Sequence, residues 1–130
     1  MLTEDFCSFE VAKLLKEKGF DELCIFKYNS EGVRMKAGVA INEWQNSELD
    51  DDECSCVSLQ MAMKWLREKH NICITIYPDK GNRYEAVLYN IKDDVEIILQ
   101  SFGIYGSHIF EDSYEEAVEA ALKYALENLI

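Results

Sequence analysis

The stretch that most limits how this chain can fold is Ser55 to Tyr77, where a 3.6-residue apolar period gives way to a 2-residue period within a few positions. Val57, Leu59, Ala62, Trp65 and Leu66 fall at helical spacings, Met61 and Met63 widen the apolar surface, and Gln60, Lys64, Arg67 and Glu68 form the wet side. The spacing predicts a mostly buried helix. Arg67, Lys69 and His70 suit the negative end of its dipole, and Asn71 suits a left-handed cap. Ile72, Ile74 and Ile76 then point one way while Cys73, Thr75 and Tyr77 point the other, which predicts a strand with one strongly apolar face.

The neighbouring segments follow the same two periods. Residues 6 to 18 read as a helix, with Phe9, Ala12 and Leu15 beside Val11 and Leu14, and Gly19 as its C-terminal cap. Leu23, Ile25 and Phe26 begin a strand. The turn Asn29-Ser-Glu-Gly32 lets Val33 to Ile41 return as its partner, and Asn42 to Glu53 reads as a long loop. After the isoleucine strand, Tyr77 to Gly81 is a turn with Pro78 inside it. A second strand runs through Tyr84, Ala86 and Leu88, a third through Val95, Ile97 and Leu99, and a loose connection holds Gly103, Gly106 and Ser107. Ser113 and Glu116 form a capping box for a helix running to the C-terminus, with Tyr114, Val118, Ala121, Ala125 and Leu129 on one face. The sequence thus predicts one α+β domain over residues 1–130, helices on a mainly antiparallel sheet in the order α-β-β-α-β-β-β-α.

A chain of 130 residues can bury about two-thirds of its unfolded surface, so neither disulfides nor a metal is required for stability. Five cysteines, an odd number without the dense spacing of a secreted scaffold, point to reduced thiols. With an acidic start and no apolar run of the roughly 20 residues that span a bilayer, the chain reads as cytoplasmic and without a membrane role. Its net charge of −12 is uneven: residues 37 to 63 carry six acids and no base, residues 93 to 130 nine acids against one base, and residues 64 to 92 six bases against three acids. Such a field opposes contact with phosphate backbones and favours docking to a protein with a basic surface.

Trp44 and the run Asp50, Asp51, Asp52 and Glu53 are the candidate partner-binding residues: an aromatic isolated in a polar loop, beside a dense negative charge. The same acids lack the alternating ligands and central glycine of a calcium loop. Cys54 and Cys56 with His70 and Cys73 have zinc-ligand chemistry, yet Cys56 and His70 stand at opposite ends of the predicted helix, about 21 Å apart at 1.5 Å per residue. The acids preceding Cys54 also oppose the thiolate form. Neither His70 nor His108 neighbours a nucleophile in a recognisable elbow, and His108 reads as a surface loop residue. The second half has the helix-strand-strand-strand-helix order of a double-stranded-RNA-binding domain, but its last helix opens with acids where that domain presents lysines.

Three segments, SFEVAKLLKEKGFDE (Ser8–Glu22), SLQMAMKWLREKHNI (Ser58–Ile72) and SYEEAVEAALKYAL (Ser113–Leu126), resemble a family of small uncharacterised proteins of phages, prophages and other mobile elements of gut bacteria. They cover about a third of the chain and all three predicted helices, and Lys64-Trp-Leu-Arg-Glu68 is their most specific part. The resemblance leads one to expect a Pro-Thr-Gln type entry to the second helix, where this chain has Cys54-Ser-Cys-Val57. It implies a mobile-element origin and carries over no catalytic residue. The expectation is a non-enzymatic acidic accessory protein, without cofactor or metal, that binds another protein and occupies basic grooves such as those of nucleic-acid-binding proteins. The alternatives are a small metal- or thiol-dependent enzyme using Cys54 and Cys56, and nucleic-acid binding through Lys64, Arg67, Lys69, Lys80 and Arg83.

Overall fold

The computed structural model describes residues 1–38, 43–97 and 108–130. The chain divides into two compact units, Met1–Ala62 and Met63–Ile130, and among the described residues the strand pairs are all antiparallel. Its architecture is α+β, with the predicted order α-β-β-α-β-β-β-α supplemented by short additional strands.

In the first unit Ser8 starts helix α1 (Phe9–Glu17): its Oγ accepts the Val11 N–H at 3.2 Å, satisfying one of the free donors of the first turn. Val11, Ala12 and Leu15 form the buried stripe, and Gly19, at φ +95°, lets the chain leave. Strands β1 (Phe26–Tyr28) and β2 (Arg34–Lys36) form a short hairpin, with Asn29 Oδ1 accepting from the backbone of Glu31 and Val33. Gly32 at the turn sits at φ +78°, with the Phe9 ring close beneath it. The predicted return strand is shorter than Val33 to Ile41, and residues 39–42 lie outside the described residues.

The segment Asn42 to Glu53, predicted as loop, contains a 3₁₀ turn at Asn46–Glu48 and leads into an unforeseen strand, β3 (Cys54–Ser55), on the other side of β1. Asn46 is the cause. Its buried amide donates to the Phe20 carbonyl at 2.7 Å and its Oδ1 accepts the Ser55 N–H at 2.8 Å, so one polar side chain ties the loop to two distant backbone segments. Helix α2 (Leu59–His70) therefore starts later than Ser55, with Ser58 Oγ accepting the Met61 N–H at 3.1 Å, and the boundary between the units falls within it.

In the second unit the isoleucine alternation produces β4 (Ile72–Asp79), preceded by Asn71 at φ +58° as predicted. β4 runs through Pro78 and the turn lies at Lys80–Asn82, beyond the predicted Tyr77 to Gly81. Proline is tolerated because β4 is the last strand on its side of the described sheet, where a missing N–H breaks no ladder. β5 (Arg83–Asn90) is the central strand, fully paired with β4 on one edge. Its other edge is shared end to end by β6 (Val95–Glu96) and β7 (His108–Glu111). The continuation of the predicted third strand and the Gly103 to Ser107 connection fall in residues 98–107, outside the described set. β7 corrects the reading of His108 as a surface loop residue: its ring is half-buried on a strand whose next residue, Ile109, belongs to the core. Helix α3 (Tyr114–Asn128) covers this sheet, capped by Ser113, whose Oγ accepts the Glu116 N–H at 3.1 Å.

Candidate functional site

Lys16, in the last turn of α1, reaches the acidic run from beneath. Its Nζ donates to the carbonyls of Asp50 and Glu53, both at 2.6 Å, and the Glu53 N–H closes the turn onto the Asp50 carbonyl at 3.0 Å. A cation bound to peptide oxygens does not engage the carboxylates of the same residues. Asp50, Asp51 and Asp52 are accordingly exposed, and among the described residues no salt bridge neutralises them.

Glu53 and Trp44 have different surroundings from the three aspartates. Glu53 Oε2 pairs with Lys27 Nζ at 2.8 Å, and that bond, against the cost of burial, holds its carboxyl below the ordinary range. The same Lys27 ammonium lies 5.0 Å from the Trp44 ring centroid, a cation–π contact. Trp44 is fixed at both ends of its peptide by reciprocal 2.7 Å bonds with Cys24 and is half-buried. The five residues singled out from sequence thus resolve into an anchored group, Trp44 with Glu53, and a displayed group, Asp50 to Asp52. Sequence reasoning missed both lysines that produce the division, because each lies more than twenty positions upstream on another element.

The cysteines are free thiols. Cys7, Cys54 and Cys56 are buried, and Cys24 and Cys73 are half-buried. Burial pushes Cys24 up to about 11, opposed only in part by the Ser55 hydroxyl, and pushes Cys54 up to about 11 despite the cations Lys16 and Lys13. Cys56 is raised by burial too, against the hydrogen bond with Tyr28. These groups hold their protons at neutral pH, unlike the thiolates that attack carbonyls or bind metals. Cys24 and Cys56 line an open groove of about 190 Å³ with Phe6, Phe26, Ile25, Met61 and the polar Glu4 and Ser58. Among the described residues no group of three or more His, Cys, Asp and Glu side chains is placed to hold a metal ion.

The predicted basic stretch lies in the second unit. Arg83 is committed to Asp79 at 2.7 Å and to the Phe110 ring at 4.7 Å, while Lys64, Lys69 and Lys80 are exposed. His70 packs edge-on against Trp65, with ring centroids 4.7 Å apart. The second unit also contains an arrangement that the sequence did not announce: His108 has a carboxylate at each ring nitrogen, Glu85 Oε2 3.1 Å from Nδ1 and Glu96 Oε1 3.0 Å from Nε2. Its sequence trace is the short alternation His108-Ile-Phe-Glu111, too brief to separate from loop. No helix among the described residues is long and apolar enough to cross a membrane. Compared with protein-family models, curated proteins and solved structures, the chain finds no match.

Proposed function

We propose that this chain is a non-enzymatic accessory protein that docks a basic surface of another protein through the displayed carboxylates of Asp50, Asp51 and Asp52. The observation that carries the reading is the Lys16 clamp, which fixes the backbone of the turn through two carbonyls and leaves the three charges outward. A charge cluster on a held backbone loses less conformational freedom on association than one on a loose loop. The net charge of −12 adds long-range attraction for a cationic partner and repels nucleic acid and anionic lipid surfaces. The mobile-element resemblance accords with a small protein acting on a host or phage protein, and the protonated thiols argue against thiolate chemistry.

The test compares the wild type with the triple variant Asp50→Asn, Asp51→Asn, Asp52→Asn in affinity capture from a bacterial lysate. The amides preserve shape and leave the Lys16 clamp untouched. A basic partner held by the wild type and lost by the variant supports the reading. Equal retention by the two proteins, or none by the wild type, overturns it.

A further inference from the structure

Glu85, Glu96 and His108 come from three different strands and meet where β6 gives way to β7 along one edge of β5. An ionised carboxylate only accepts hydrogen bonds, so the contacts at 3.1 and 3.0 Å are both hydrogen bonds only when both ring nitrogens carry protons. A neutral ring has a single N–H and must turn a lone pair toward one carboxylate. We infer that Glu85, His108 and Glu96 form a proton-controlled latch, which fastens β6 to β5 and β7 while His108 is an imidazolium and loosens it when the ring is neutral.

β6 is an element on which one side-chain tie can act. It pairs with β5 through Tyr89↔Glu96 and Asn90↔Val95, and the Ile97 N–H extends the ladder to the Leu88 carbonyl at 2.8 Å. Both of its residues are exposed. Without the second ring proton, Glu85 and Glu96 also lose the positive charge between them.

The pairing register places Arg83, Glu85, Val87 and Tyr89 of β5 on one sheet face with Glu96, His108 and Phe110. It brings Cys73, Thr75, Tyr77 and Asp79 of β4 to that face too. Two of the other titratable groups there are shifted away from their ordinary values. Lys80's backbone bond, with help from Arg83 and against the cost of burial, holds the Asp79 carboxyl below its ordinary range. Loss of hydration, with Tyr77 and Glu96 alongside, pushes the Tyr89 phenol up. Residues 98–107, which join β6 to β7 in the chain, contain no carboxylate, lysine, arginine or histidine. His108 is the one imidazole on this face among the described residues, and its contacts with two carboxylates make the latch depend on its second ring proton.

The experiment follows the Ile97 amide by NMR hydrogen exchange, corrected for its intrinsic rate, while the ¹⁵N shifts of the His108 ring report its protonation. In the wild type, protection falls about fivefold as the ring becomes neutral, a size set by partly exposed ion pairs. In Glu96→Gln the side-chain amide can accept from an N–H or donate to a lone pair, so protection stays level across the same range. His108→Gln, which has no ring to titrate, stays level as well. Unchanged wild-type protection through the ring titration overturns the latch, as does a pH-dependent fall that survives in either variant.

Discussion

The two units solve the same problem with different materials. In Met63–Ile130 two eight-residue strands and a fifteen-residue helix bury a continuous apolar layer that includes Ile74, Ala86, Leu88, Ile109, Val118 and Leu122. In Met1–Ala62 the strands among the described residues are three, three and two residues long, and polar side chains do what strand length does elsewhere: Asn46 ties Phe20 to Ser55, Tyr28 Oη donates to the Cys7 carbonyl at 2.6 Å, and Lys16 clamps the acidic turn. Long alternation specifies a sheet through many weak, redundant contacts. A short sheet depends on a few bonds, each of which has no substitute.

That contrast predicts opposite rescue patterns, with the largest effects at the centres of the two units. Leu88→Ala should cost about 3 kcal/mol by leaving a cavity, and Leu88→Ile should recover most of it because volume is what was lost. Asn46→Ala should also cost about 3 kcal/mol, yet Asn46→Leu should recover nothing, because the Phe20 carbonyl and the Ser55 N–H remain buried and unpaired. Denaturant unfolding gives the magnitudes, and hydrogen exchange at the Ser55 and Leu88 amides assigns each loss to its unit. If Asn46→Leu were as stable as the wild type, the polar account of the first unit would fail.

A smaller effect is expected at Gly32. Its φ of +78° is unfavourable for an L side chain, and an added Cβ would stand 2.7 Å from Phe9 Cδ2, so Gly32→Ala should cost about 1 to 2 kcal/mol in thermal unfolding. The smallest effect concerns pH. The folded carboxyl of Glu53 titrates below its unfolded value, so its bond to Lys27 contributes stability above the unfolded value, and that contribution is lost as pH falls through the folded one. The acid-side decline in stability should be shallower in Glu53→Gln than in the wild type, and identical slopes would remove Glu53 from the pH dependence.

How much was legible in the sequence follows the same division. The helices α1, α2 and α3, the caps at Gly19, Asn71 and Ser113 and the long strands β4 and β5 were readable because period and capping are local signals. β3 was not readable, because two residues carry no period and the reason they are extended is a side chain nine positions earlier. β7 escaped for want of length. The acidic run was found as composition, but its division into Glu53, held by Lys27, and the free aspartates depends on lysines brought there by folding. Cys54 and Cys56 drew attention as possible ligands, whereas both are buried with Ser55 at and just beyond β3 in the first unit.

Those buried thiols make the first unit a clock for its own opening. A thiol that holds its proton and sees no solvent reacts with an alkylating reagent only in the moments when its surroundings part. Cys7, Cys54 and Cys56 sit at 0%, 1% and 2% exposure, while Cys73 of the second unit is partly accessible and supplies an internal reference for reagent quality. The rate at which the three buried sulfurs take up label, set against the rate for Cys73, measures how often the polar ties around β3 let go, without any denaturant and without adding a probe to the chain.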